Sequence, residues 1–95
     1  MDKLFAAPNI LTAAILYVLY RKELPYVGCR YDGFIDQYQF VFSDKRDQGR
    51  ALLAQLRDNR ENLVPARSFQ RALHHLHLDF RKAQRANGNR NGGAL

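Results

Sequence analysis

The chain contains one cysteine, one methionine and no tryptophan. A lone Cys29 closes no internal disulfide and supplies no multi-cysteine zinc site, which excludes a disulfide scaffold and a zinc ribbon. With no thiol partner the expected setting is a reducing one, the cytoplasm. Long apolar runs are lacking too. Residues 4–20 are largely apolar, but Pro8, Asn9 and Thr12 interrupt them, and the unbroken stretch from Ala13 to Tyr20 is eight residues. A membrane-spanning helix needs about 20. No net-basic start precedes this stretch and Arg21-Lys22-Glu23 follows it, so neither a signal peptide nor a membrane partner is expected. Three prolines and six glycines are too few for a collagen-like or low-complexity chain. Gly28, Gly33 and Gly49 stand alone, so no glycine-rich loop cradles a phosphate. Ninety-five residues suit a single domain and exclude a multidomain enzyme.

An apolar fraction of 46% is enough for one small core, and 12% aromatics place the chain among globular proteins. Fifteen Lys and Arg against nine Asp and Glu give a net charge of +6. That excess is one-sided. Residues 1–48 carry six basic and six acidic side chains, whereas residues 49–95 carry nine and three. Eleven of the fifteen cations are Arg, which pairs bidentately with phosphate or carboxylate. A cationic half of this kind suits an anionic partner as well as it suits solubility.

The apolar periodicity predicts an α+β fold in which a small antiparallel hairpin or sheet is covered on one face by about three helices. Asn9 is placed to cap a first helix over residues 10–23, with Leu11, Ala14, Ile15, Val18 and Leu19 on one face and Pro25 ending it. Two β-prone runs flank Asp32-Gly33, which reads as a two-residue hairpin turn. In that register Tyr31 opposes Phe34, Cys29 opposes Asp36 and Val27 opposes Tyr38. Val27, Cys29, Tyr31, Phe34, Tyr38, Phe40 and Phe42 then share the core face, while Tyr26, Arg30, Ile35, Gln37, Gln39 and Val41 share a wetter one. Asp47 suits the first turn of a second helix, over residues 47–59, with Leu52, Leu53 and Leu56 turned inward. Leu63-Val64 is the expected source of an additional strand.

A third helix over residues 65–85 begins at Pro65, where a missing amide costs nothing. Phe69, Ala72, Leu73, Leu76, Phe80 and Ala83 form its apolar stripe. Arg67, Arg71, His74, Leu78, Arg81 and Arg85 lie diametrically opposite, and Lys82 flanks them. Residues 1–86 thus read as one domain. Residues 87–95 form a Gly/Asn-rich tail that is expected to be disordered.

An early helix, an aromatic hairpin ending in Phe40-Val41-Phe42, a second helix, and Val64-Pro65-Ala66-Arg67 leading into the last helix follow one another in this order. The pattern resembles a small bacterial and phage domain family of unknown function, over about residues 10–80. The resemblance implies a bacterial or mobile-element setting and brings no catalytic residues with it.

Chemistry-bearing clusters are few. His74 and His77 share a helix face, as do His75 and Asp79, but no third or fourth ligand accompanies either pair, and neighbouring Arg71 and Arg81 repel a cation, so no metal is expected. Cys29 on a core face reads as a small apolar residue rather than a nucleophile. Asp32, Asp36, Asp44 and Asp47 fall in turns and at a helix start, where each has a structural use. No enzyme activity and no cofactor are expected. The expected function is a small non-enzymatic binding module, a protein-interaction or accessory factor that acts through its basic helix or a sheet edge, through which it could also self-associate. The alternative is a nucleic-acid binder. In either case the expected contact residues are Arg67, Arg71, His74, Arg81, Lys82 and Arg85.

Overall fold

The computed structural model describes residues 3–58 and 64–92. In chain order these form strand β1 (Leu4–Ala7), helix α1 (Ile10–Leu19), strands β2 (Tyr26–Asp32) and β3 (Gln37–Ser43), and helices α2 (Gly49–Asp58) and α3 (Ala66–Gly92). The three strands make one antiparallel sheet in the order β1-β3-β2. α3 lies on β2 and β3 and packs against α1. The fold is α+β, with the aromatic face of the sheet under the helices.

The third strand is not the one expected. Val64 lies outside any strand and Leu63 lies outside the described residues. The strand is formed instead by Leu4–Ala7, which pairs with β3 so that Phe5 opposes Phe42 and Ala7 opposes Phe40. Pro8 then breaks the strand. Asn9 caps α1 as its position predicts, its Oδ1 accepting from the Thr12 amide at 2.8 Å.

α1 stops at Leu19, four residues before the expected end, and buries a different face. Ala13, Ala14 and Leu16 are fully buried, while Leu11 is 57% exposed. The reason is compositional. Eight of its ten residues are large or branched apolar side chains or threonine, so periodicity could not select a face and tertiary contacts did.

The hairpin turn is wider than Asp32-Gly33 alone. Asp32 pairs with Gln37 and residues 33–36 form the turn. Asp32 Oδ1 accepts from the Phe34 amide at 2.9 Å, an Asx-type turn, and Asp36 takes the positive φ of 52°. Tyr31 therefore opposes Tyr38, and Cys29 opposes Phe40. This register differs from the expected one by four residues. Because four is even, Cys29, Tyr31, Tyr38, Phe40 and Phe42 keep their shared face. Phe34 does not join them, since it is exposed at the turn, and Ile35, expected on the wetter face, is exposed there as well. A bulge at Val27 turns Tyr26 onto the core face opposite Phe42 and leaves Val27 exposed. On the opposite face Val41, expected to be wet, is buried between Ala6 and Gly28 of the flanking strands.

Phe42, Leu16, Leu24 and Leu76 are the largest fully buried side chains. Phe40 is buried with them, and Phe69, Leu73 and Phe80 pack around this centre while keeping partial exposure. α2 starts at Gly49, so Asp47 lies outside it, at φ 53° and paired with Lys3 at 3.0 Å. Asp44 supplies the negative charge at this helix start instead. Its buried carboxylate accepts from the Gln48 and Gly49 amides at 2.8 and 2.9 Å. A Cβ at Gly49 would lie 2.6 Å from the Phe5 ring, so only glycine fits this approach. Asp44→Ala would orphan both amides, that of Gly49 in a buried setting and that of Gln48 in a partly buried one. A loss of about 1.5–3 kcal/mol is expected in urea denaturation, and a loss below about 0.5 kcal/mol would show that the cap is dispensable.

α3 keeps its predicted apolar stripe but runs on to Gly92, so residues 87–92 are helical where disorder was expected. Asn87 Nδ2 donates to Tyr38 Oη at 3.2 Å, which ties the helix to the hairpin beyond Arg85. Extending a formed helix by a few residues costs little once the nucleus exists. Residues 93–95 of the predicted tail lie outside the described residues.

Candidate functional site

α3 spans 27 residues, about 40 Å at 1.5 Å per residue. Ala72 and Leu76 are buried along its inner side. The six residues singled out from the sequence, Arg67, Arg71, His74, Arg81, Lys82 and Arg85, are all exposed. They share the outer side and run along it for about 27 Å. Among the described residues none of them takes part in an ion pair. Asp79 is the one carboxylate in the helix, and it faces inward. The outer face therefore carries charge of one sign, with Leu78, 41% exposed, at its middle.

Asp79 belongs to a second constellation, on the flank where α3 meets α1. Tyr26 Oη donates to Asp79 Oδ2 at 2.8 Å, and His75 Nε2 lies 3.7 Å from the same oxygen. The Tyr17, Tyr26 and His75 rings pack with centroids 5.6–5.8 Å apart. The Arg21 guanidinium lies over the Tyr17 ring at 5.5 Å, a cation–π arrangement. Two adjoining hollows of about 380 and 360 Å³ share Tyr17, Arg21 and His75 in their walls. Tyr26 and Asp79 close the first, and Ser68 and Arg71 close the second. Arg71 thus belongs both to the outer cationic face and to this cleft.

Sequence reasoning paired His75 with Asp79 by helical spacing, but it did not bring in Tyr17, Arg21 or Tyr26. The spacing of Tyr17 and Arg21, four residues apart on α1, was the available signal. Tyr26 was hidden because the bulge reverses its face.

Burial, and then the hydrogen bond to Asp79, hold the Tyr26 phenol well above its usual range. Burial first, and then the Asp79 charge, push the Cys29 thiol up to about 11. This is the opposite of what activates a cysteine nucleophile. Among the described residues no group of three or more His, Cys, Asp or Glu side chains is arranged to hold a metal ion. No described helix is long and apolar enough to cross a membrane.

The raised thiol has a consequence for stability. An unfolded chain releases the Cys29 proton near pH 9, while the folded chain keeps it to about pH 11. The unfolded state then binds fewer protons, so stability is complete below about pH 9 and falls as pH rises through that window. Tyr26 acts with the same sign at higher pH. Urea denaturation between pH 8 and 10.5 is expected to show this decline, with a shallower slope in Cys29→Ala. Parallel slopes would remove Cys29 as a contributor.

Comparison with known proteins adds no assignment: no protein-family model, curated protein or solved structure matches the chain.

Proposed function

We propose that the protein is a non-enzymatic binding module that engages the phosphate backbone of a nucleic acid along the outer face of α3. One observation carries this reading: Arg67, Arg71, Arg81, Lys82 and Arg85 stand exposed on a single face, with no ion-pair partner among the described residues. A face that serves solubility alone mixes both signs and gains from pairs between residues three and four apart. Here the carboxylates are missing. Each strand of a duplex places a phosphate every 3.4 Å or so along the axis, so a 27 Å face spans about eight. The five cations on the face can neutralise at most about five of these, and about four contacts are expected.

A protein partner is the second reading, and it too has an observation behind it. Phe34 and Ile35 protrude at the hairpin turn, and Leu78 breaks the cationic face of α3 with an apolar side chain. The sheet edges favour this reading less. β1 has four residues and β2 carries a bulge, both of which discourage pairing with another strand. The bacterial or mobile-element setting implied by the family resemblance is compatible with either partner. The test is a binding titration of the full chain with duplex and single-stranded probes from low to high salt. Affinity that falls steeply with salt supports the nucleic-acid reading. No binding at low salt overturns it and leaves the protein-partner reading.

A further inference from the structure

The cleft between α1 and α3 opens beside the cationic face and shares Arg71 with it. We propose that this cleft seats one unstacked nucleotide of a single strand whose phosphates run along α3, an inference that rests on the phosphate-binding reading of that helix. Three features of the cleft match a nucleotide, two of them its base and one its phosphate. Tyr17 and the Arg21 guanidinium provide flat surfaces for a base to stack on or beside. Arg21 and Arg71 are exposed cations with no ion-pair partner among the described residues, and they suit the phosphate.

Asp79 provides the polar contact. Its Oδ2 takes the Tyr26 hydroxyl at 2.8 Å, which leaves Oδ1 to accept from a base amino group. The arrangement is asymmetric, with the carboxylate at one end and Arg71 at the other, so it favours a ligand that is cation-seeking at one end and hydrogen-donating at the other. Each hollow, at about 360–380 Å³, lies within the range of small-ligand sites. A duplex keeps its bases stacked and paired, and drawing one out costs a few kcal/mol, so the cleft discriminates in favour of single strands.

The probe is a labelled strand of mixed sequence, about 15 nucleotides long, used alone and annealed to its complement. Three variants of the full chain are compared with the parent at one low salt concentration. Tyr17→Leu keeps apolar volume but removes the stacking ring, and Arg21→Gln removes an exposed cation without touching the core. Arg81→Glu alters the outer face away from the cleft. Tyr17→Leu and Arg21→Gln are each expected to lower single-strand affinity about tenfold and leave duplex affinity within about twofold. Arg81→Glu is expected to lower both. If neither cleft substitution changes the ratio of single-strand to duplex affinity, with thermal melting showing the Arg21→Gln fold intact, the cleft proposal is overturned and the phosphate-binding reading of α3 stands. If the parent chain binds neither probe, both fall.

Discussion

Phe42→Ala is expected to destabilise the protein by about 3–5 kcal/mol. Phe42 lies on the central strand, is fully buried and is one of the four largest such side chains. Its neighbours come from several elements. Phe5 opposes it from β1, the Tyr26 ring meets it edge-on at 5.4 Å from β2, and Leu16, Leu24 and Leu76 belong to the same cluster. Removing the ring costs its transfer free energy and leaves a cavity that the surrounding side chains close only in part. Single domains of this size hold about 5–15 kcal/mol in total, so the variant should be unfolded to a measurable degree at 37 °C. Urea denaturation at 25 °C reads the loss directly, and a loss below about 1 kcal/mol would place Phe42 outside the core.

The elements most legible in the sequence were those with strong, one-sided patterning. α3 was visible from its two opposed stripes, because a helix with Leu76 on one side and Arg81 near the other can lie only one way on an apolar sheet. The parity of the hairpin was visible for a similar reason. Phe40 and Phe42 fix which face is inward, and an even displacement of the register preserves it. What escaped was decided by local hydrogen bonds or by tertiary pairing. The Asp32 carboxylate captured the Phe34 amide and widened the turn. Asp44, three residues before the expected helix start, reached forward to cap α2. Leu4–Ala7 has no alternating pattern of its own and becomes a strand because β3 offers it a free edge. The cationic face was likewise readable from helical spacing, whereas the cleft beside it depends on α1 meeting α3, which no spacing within one element encodes.

Reversing Arg81 and Arg85 to Glu is expected to weaken binding to duplex and single-stranded probes roughly 100-fold at low salt, at about a factor of ten for each lost phosphate contact. Both side chains are exposed and lie opposite Leu76, so the fold should survive the change. The loss should be nearly uniform across sequences, since phosphate contacts position a protein without reading bases. A loss confined to one sequence would instead indicate base readout by these residues.

The measurement that tests the central claim most directly is the slope of log affinity against log salt for the parent chain and for this double reversal. About four neutralised phosphates predict a slope near −3.6 on duplex DNA for the parent, and loss of two contacts predicts about −1.8 for the variant. A parent slope near zero, or one that the reversal leaves unchanged, would contradict the assignment of phosphate binding to the outer face of α3.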